Sequence, residues 1–130
     1  MENKNEKASC ENKKENTAKV KVFYCLPMSG RTDEDILNQI NDECLKIIEL
    51  VRTISSDAEI EMLCNYQKSD NNIDFSPDIK HENMYFLGRG IKSHMSKADI
   101  VVFGKGWEDS RGCKGEHYIC ETYGMKHFYI

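Results

Sequence analysis

The chain has 130 residues, of which 39% are hydrophobic and 31% are charged, and its formal net charge is −4. This length and composition predict one globular domain with a single core. No basic patch dominates, so duplex nucleic acid is not an expected partner. Because no apolar run approaches the roughly 20 residues of a membrane span, and the N-terminus lacks the apolar core of a signal peptide, we expect no membrane partner and a cytoplasmic location.

The N-terminal segment differs in composition from the rest of the chain. Residues 1–17 are mostly Lys, Glu and Asn, with no aromatic side chain and no hydrophobic periodicity. Such a segment cannot bury enough apolar surface to offset the entropy that is lost on ordering. We therefore predict a disordered polar tail over 1–17 and a single α/β domain of the nucleotide-binding type over 18–130.

Six cysteines are present, and no two have the C-x-x-C spacing that is typical of redox and metal motifs. Cys25, Cys44 and Cys64 lie in apolar patterns, which favours small buried side chains in a reducing cytoplasm. The alternative is a zinc site on one face of the last helix, at spacings i, i+4 and i+7, from Cys113, His117 and Cys120. That set lacks a second ligand pair at the usual spacing, so we expect neither a metal nor a cofactor.

The first strand and the first helix have clear boundaries. Near-continuous apolar residues over Lys19–Pro27 predict a strand that is covered on both faces, and Pro27 and Gly30 end it. Thr32 is a good N-cap, with Asp35 three residues further on. Apolar residues then recur at spacings of three and four, which predicts a helix over 33–54 with one buried face.

The rest of the chain continues to alternate strands and helices. The predicted elements are an edge strand over 58–66, a polar loop over 67–80, a helix over 83–97, a strand over 100–103, a helix over 111–123 that ends at Gly124, and a strand over 126–130. Connections of helix length demand parallel strands and right-handed crossovers. We predict the strand order 2-1-3-4, with the topological switch point between strands 1 and 3.

The turns that leave strands 1 and 3 are expected to face each other across a crevice, where open α/β folds bind ligands. The first turn is Pro27-Met28-Ser29-Gly30-Arg31. The second turn lies within Lys105–His117 and carries a dense set of reactive side chains: Trp107, Glu108, Asp109, Ser110, Arg111, Cys113, Glu116 and His117.

Three stretches, at 22–30, 98–103 and 106–117, resemble a family of small phage and bacterial proteins within the nucleoside 2-deoxyribosyltransferase-like superfamily. The most specific part is the string Gly-Trp-Glu-x-Ser-Arg-Gly-Cys-x-x-Glu-His over 106–117. The resemblance covers about residues 19–130. It implies a flavodoxin-like, Rossmann-like three-layer sandwich and chemistry at the N-glycosidic bond of (deoxy)nucleosides or their 5′-monophosphates.

The resemblance also implies roles for particular residues. In characterised members of the superfamily, a glutamate in the first turn of the helix after strand three is the nucleophile at C1′, and Glu116 matches it. The turn after strand one contacts the sugar and phosphate there, and Ser29, Gly30 and Arg31 match that region, next to Pro27 and Met28. Superfamily sites are often completed by a neighbouring subunit, so a homodimer is the expected assembly.

One departure from the superfamily pattern concerns a second acid. Characterised members carry it about eight residues before the Asp that opens strand three, which is Ile91 in this chain. No Asp or Glu lies over 83–97. Glu108, Asp109 or a neighbouring subunit are the remaining sources of such a group.

Each candidate residue also has a plain structural role. Glu116 can be a helix N-terminal carboxylate, and the helix field would favour its ionised form. Ser110 and Arg111 can form an anion site for a 5′-phosphate, or a cap and an ion pair. Trp107 can stack on a nucleobase or cover the edge of the core, and Gly112 permits either close ligand approach or tight packing. His117 follows Glu116 on the helix, points about 100° away from it, and is expected outside the pocket.

Three functions remain open at this point. The first is a nucleoside or nucleotide N-glycosidase or a deoxyribosyltransferase-like enzyme, with Glu116 as the nucleophile. The second is a non-catalytic module that binds a nucleoside or nucleotide, for example a phage protein that sequesters a nucleotide. The third is an interaction protein whose crevice is vestigial.

Overall fold

Strands and helices alternate along the chain as the sequence predicts. A computed structural model describes residues 19–66 and 78–130, so the predicted tail over 1–17 and most of the predicted loop over 67–80 lie outside the described residues. The main elements are β1 (Lys19–Cys25), α1 (Asp33–Ile54), β2 (Glu59–Cys64), α2 (Glu82–Ser93), β3 (Ile100–Phe103), α3 (Arg111–Tyr123) and β4 (His127–Tyr129). In the described ranges, no helix is long and apolar enough to cross a bilayer.

The strands form one four-stranded sheet in the order β2-β1-β3-β4, and each neighbouring pair is parallel. This confirms the predicted order 2-1-3-4 and a flavodoxin-like α/β fold. The alternation of apolar and charged residues in β2 correctly predicted an edge strand. Cys25 pairs with Phe103 at the carboxyl ends of β1 and β3. The turns after these two strands therefore leave the sheet side by side, at the switch point.

The core has two layers because the central strands are covered on both faces. Successive strand residues point to opposite faces, and Val22 and Tyr24 pack against α1 in one buried cluster. Phe23 and Cys25 join a second buried cluster, which includes Cys113 of α3. Burial on both faces explains why β1 and β3 are almost continuously apolar rather than alternating.

The boundaries of α1 and α3 agree with the prediction, and the caps show why. The Thr32 hydroxyl accepts a hydrogen bond from the Asp35 N–H at 3.1 Å, and Gly124 ends α3 in the left-handed conformation at φ +67°. The prediction that Cys44 and Cys64 are buried is wrong, because both residues are only half-buried. Cys44 lies beside the buried face of α1, whose inward position is taken by Glu43.

The helix predicted over 83–97 is shorter in the structure. It ends at Ser93, and a separate 3₁₀ turn follows over Met95–Lys97. The break allows Met95, only 1% exposed, to pack beside Phe23 under the sheet. A continued α-helix would carry the chain past β3, whose entry is fixed by a hydrogen bond from the Lys21 N–H to the Asp99 carboxylate at 2.8 Å.

A glycine at the end of β3 gives a first test of this packing. A Cβ at Gly104 would lie 2.5 Å from Glu43 Oε1 and 3.0 Å from Tyr24 Cε1. We expect Gly104→Ala to lower the free energy of unfolding by about 1–3 kcal/mol, as overpacking does. Gly88→Ala is the control, because nothing lies within 4 Å of that Cβ and alanine favours a helix by up to about 1 kcal/mol. Urea denaturation measures both, and a fully stable Gly104→Ala would contradict the packing.

Candidate functional site

A cavity of about 660 Å³ opens at the carboxyl ends of the strands, next to the switch point. It is lined by the ends of β1 and β2, one side of α2 and the N-terminus of α3. The lining residues are Tyr24, Leu26, Pro27, Met28, Ser29, Asn65, Asn83, Phe86, Leu87, Arg89, Gly90, Ser93, His94, Asp109, Ser110, Arg111, Gly112, Cys113 and Glu116. The two turns singled out in the sequence therefore contribute to one cavity.

Most of the predicted site residues meet in this cavity, but four do not. The residues brought together are Pro27, Met28, Ser29, Ser110, Arg111, Gly112 and Glu116. The residues outside the lining are Gly30, Arg31, Trp107 and Glu108. The backbone of Gly30 has φ +76°, a conformation that glycine adopts without steric cost, so its identity serves the turn.

Glu116 lies on the cavity wall, although its side chain is almost fully removed from solvent. The residue is 4% exposed, and its Oε2 accepts a hydrogen bond from the Asn65 amide at 3.2 Å. Burial raises the pKa of Glu116 to about 7, and hydrogen bonds from Cys25 and Asn65 only partly oppose this. Glu116 is the sixth residue of α3, whose first turn holds no acidic residue, so the expectation of a first-turn carboxylate in the helix field is corrected, because that field falls off within the first turn.

Cys25 completes the buried surroundings of Glu116 from the end of β1. Burial first, and then the charge of Glu116, raise the pKa of the Cys25 thiol well above its usual value. The thiol therefore stays protonated near neutral pH and donates a hydrogen bond to the carboxylate. A thiol held in this form is a poor nucleophile, which leaves Glu116 as the reactive member of the pair.

Asn65 is a site residue that the sequence reasoning missed. It follows β2 directly, and its amide lies so close to α2 that a Cβ at Gly90 would come within 2.5 Å of Asn65 Nδ2. Gly90 thus makes room for the side chain that holds Glu116. A helix-interior glycine, which costs roughly 1 kcal/mol relative to alanine, was the one available signal.

Removal of the Asn65 amide should change the titration of Glu116. A donor hydrogen bond stabilises the ionised carboxylate, so we expect Asn65→Ala to raise the pKa of Glu116 above that of the wild type. A carboxyl-carbon NMR titration of both proteins measures the shift. Asn41→Ala, an exposed change on α1, should leave the value as it is. A lower pKa in Asn65→Ala would contradict the hydrogen bond.

The N-terminus of α3 supplies polar groups to the cavity. Ser110 is the N-cap, and its hydroxyl accepts a hydrogen bond from the Cys113 N–H at 3.2 Å. Arg111 and Gly112 are the first helical residues, where backbone N–H groups have no carbonyl of the same helix to bind. Arg111 on α3 and Arg89 on α2 both line the cavity, as does one exposed carboxylate, Asp109.

Arg31 has a structural role at the back of the first turn. Its guanidinium donates to the Pro27 carbonyl at 2.7 Å, to Gln39 Oε1 at 2.5 Å and to the Asp35 carbonyl at 3.1 Å. These bonds fasten the turn after β1 onto α1. Because the guanidinium is held by these partners in the turn and in α1, it lies outside the cavity lining.

A buried acid on α1 joins the two turns. Glu43 is 4% exposed, and its Oε2 accepts a hydrogen bond from the Lys105 N–H at 3.0 Å. Its Oε1 accepts from the Tyr24 hydroxyl and from Gln39 Nε2 at 3.2 Å. The Gln39 amide also donates to the Lys105 carbonyl at 2.9 Å. This network therefore holds the turn after β3 against β1 and α1.

Trp107 covers the edge of the core, the structural alternative given above. Its ring lies 4.3 Å from the ring of His117, 5.2 Å from Phe103 and 5.6 Å from Tyr129. These aromatic contacts place the indole against β3, α3 and β4, and Trp107 is not among the lining residues of the cavity. His117 is bound to the Tyr129 hydroxyl at 2.6 Å and lies outside the lining, as its helical position indicated.

The wall that α2 forms is apolar and cationic rather than acidic. Phe86 and Leu87 lie on it, and the Arg89 guanidinium sits 6.0 Å from the Phe86 ring centroid. His94 adds an imidazole whose pKa is lowered by burial and by the nearby charges of Lys97 and Arg89. Asp109 is the only carboxylate besides Glu116 among the described lining residues.

Fold and cavity together define a parallel α/β protein with a ligand-sized pocket at its switch point. Pockets of about 300–1,000 Å³ with apolar walls and a few polar groups are typical small-molecule sites. Comparison of the chain with family models, curated proteins and solved structures gives no match. The function of this protein therefore has to be inferred from the chemistry of the pocket.

Proposed function

We propose that this protein cleaves the N-glycosidic bond of (deoxy)nucleosides or nucleoside 5′-monophosphates, by hydrolysis or by transfer, with Glu116 acting at C1′. The observation that carries this proposal is the buried Glu116 carboxyl on the wall of a cavity of about 660 Å³ at the switch point. A perturbed carboxyl in a cleft is a candidate catalytic group on physical grounds. The resemblance of residues 106–117 to a nucleoside 2-deoxyribosyltransferase-like family supports the same reaction.

The reaction needs a negative charge beneath C1′, because the transition state resembles an oxocarbenium ion. A Glu116 oxygen forms a bond to C1′ while the C1′–N bond breaks, and the bonding electron pair leaves with the base. The base takes a proton from water or from a titratable lining group such as His94 or Asp109. Water then attacks C1′ and gives a proton to the group that protonated the base, while the C1′–O bond to Glu116 breaks and its electron pair returns to the carboxylate. A second base in place of water gives transfer.

The polar and apolar groups of the cavity suit the two ends of a nucleotide. Phe86 and Leu87 offer an apolar wall to the base. Arg111, Arg89 and the first N–H groups of α3 offer charge and donors to a 5′-phosphate, as helix N-termini do for anions. A nucleoside 5′-monophosphate is therefore the preferred substrate within this proposal.

A non-catalytic nucleotide-binding module is the second candidate, and one observation favours it. The α2 wall offers Asn83, Arg89, Ser93 and His94 to the cavity and no carboxylate, so the second acid of the superfamily pattern is absent from its usual place. In an enzyme, Asp109 or a neighbouring subunit of a homodimer would have to replace it. In a binding module no replacement is needed.

A substrate panel separates these functions. The protein is incubated with ribo- and deoxyribonucleosides and their 5′-monophosphates, and free base is measured by chromatography, with thermal stabilisation measured in parallel. Base release from a monophosphate supports the enzyme. Stabilisation by a nucleotide without base release supports the binding module. If neither occurs, both proposals are wrong, and the interaction protein with a vestigial crevice is the function left.

A further inference from the structure

A second group of reactive side chains lies on the other side of α3, away from the cavity. One ligand atom each from His117, Glu121 and His127 lie within 4.8 Å of one another. His117 and Glu121 are one turn apart on α3, and His127 opens β4. None of the three residues lines the cavity. The group is therefore separate from the proposed reaction.

The orientation of the imidazoles suits metal binding. His127 Nδ1 lies 2.9 Å from the Met125 carbonyl oxygen, so Nδ1–H donates and Nε2 keeps a free lone pair. A backbone carbonyl that fixes the tautomer in this way is the usual partner of a metal-binding histidine. The His117 ring is held between Trp107, at 4.3 Å, and Phe103, at 5.1 Å. Its Nε2 faces Glu121 Oε2 at 3.8 Å.

We propose that His117, Glu121 and His127 bind one divalent cation of the zinc class. Two imidazoles and a carboxylate are a known ligand set for Zn²⁺, with the fourth position left to water. Bonds of about 2.0–2.2 Å require the three ligand atoms to draw closer, and the Glu121 side chain, 60% exposed, is free to do so. His117 Nε2 exchanges the Tyr129 hydroxyl for the ion, and the ion then ties α3 to β4.

This site differs from the zinc site weighed in the sequence and from the expectation of no metal. That alternative combined His117 with Cys113 and Cys120, but these thiols are 3% and 0% exposed and lie in the core between α3 and the sheet. In the proposed site, His127 and Glu121 are the ligands in place of the two cysteines. His127 comes close to α3 because β4 pairs with β3 beside that helix. The contact joins residues that are ten positions apart, so helical spacing alone does not reveal it.

The only tryptophan of the chain reports on this site directly. Because the Trp107 ring is 4.3 Å from that of His117, a bound Co²⁺ ion should quench its fluorescence. We expect saturable quenching at one equivalent of Co²⁺, reversed by EDTA and by competing Zn²⁺. His127→Asn and the exposed Glu121→Gln should each weaken binding by about tenfold or more. His81→Asn, an exposed histidine outside the group, should bind as the wild type does.

Three outcomes would overturn the proposal. The first is the absence of saturable quenching at micromolar Co²⁺. The second is equal binding by the wild type, His127→Asn and Glu121→Gln. The third is a strong cobalt–thiolate absorption band, which would assign the ion to cysteine. Activity is not needed for any of these readouts, so failure here leaves the proposed function intact.

Discussion

Glu116→Gln is expected to lower the rate of base release by on the order of 10³-fold or more, as the loss of a nucleophile does in other enzymes. The amide has nearly the shape of the carboxylate, and it still accepts the hydrogen bond that Asn65 donates at 3.2 Å. Under the proposed mechanism the amide cannot supply the negative charge required beneath C1′ or form the glycosyl ester. Binding of the nucleotide should change far less than turnover.

The measurement compares initial rates of base release with nucleotide affinity for the same variant. Glu49→Gln is a matched control, because it makes the same chemical change at an exposed position of α1. We expect the control to be fully active. Base release that survives in Glu116→Gln would remove Glu116 as the nucleophile, whatever the affinity shows.

The same substitution is expected to stabilise the protein at alkaline pH. The pKa of Glu116 is raised from 4.5 to about 7 by burial. Between these values the folded state holds a proton that the unfolded state has lost, so the free energy of unfolding falls as the pH rises. Above pH 7 the full cost is present, which for this shift is roughly 3 kcal/mol. Gln is neutral at every pH and avoids this cost.

Urea denaturation at pH 4.5 and at pH 8, with EDTA present to remove any bound ion, tests this linkage. The wild type should lose stability between the two values relative to Glu116→Gln, and the variant should be the more stable protein at pH 8. A wild type that equals or exceeds the variant at pH 8 would show that the buried carboxyl has no such cost. A stability cost at a pocket residue favours a functional reason for keeping it.

The fold followed from the sequence because its signals are local. The apolar runs of β1 and β3, the Thr32 cap and the glycine at 124 each act within a few residues. Helix-length connections then restrict the strands to a parallel sheet. The strand order needed one further rule, which is that ligands bind at the switch point where the order of the strands reverses. This rule makes the two strands that precede the candidate site turns neighbours in the sheet.

The parts of the site that were missed depend on contacts between distant residues. Glu43 is buried although a charged residue on a helix is usually solvated, because Tyr24 and the Lys105 N–H both donate to it. Asn65, which follows β2 and precedes Glu116 by 51 positions, donates the hydrogen bond that holds the carboxylate. Neither partner leaves a pattern in the sequence near the residue that it serves.

Trp107 and α2 are a further case in which contacts between distant residues determine the surroundings of a side chain. The position of Trp107 in a polar turn allowed either a stacking face or a cover for the core edge, and His117 and Tyr129 from later elements pack against it. An aromatic side chain on the α2 wall of the cavity is Phe86, which no motif in the sequence indicated. Residue type indicated which side chains could serve a pocket, while tertiary packing decided which of them reach it.

The most direct test of the central claim looks for the bond between Glu116 and C1′. A 2′-fluoro-2′-deoxynucleoside 5′-monophosphate is used, because fluorine beside C1′ destabilises the oxocarbenium-like transition state and slows release of the sugar. Mass spectrometry of the protein, followed by peptide mapping, should find one added sugar phosphate on Glu116, and none in Glu116→Gln. Base release from the natural substrate together with an adduct on another residue would contradict the account.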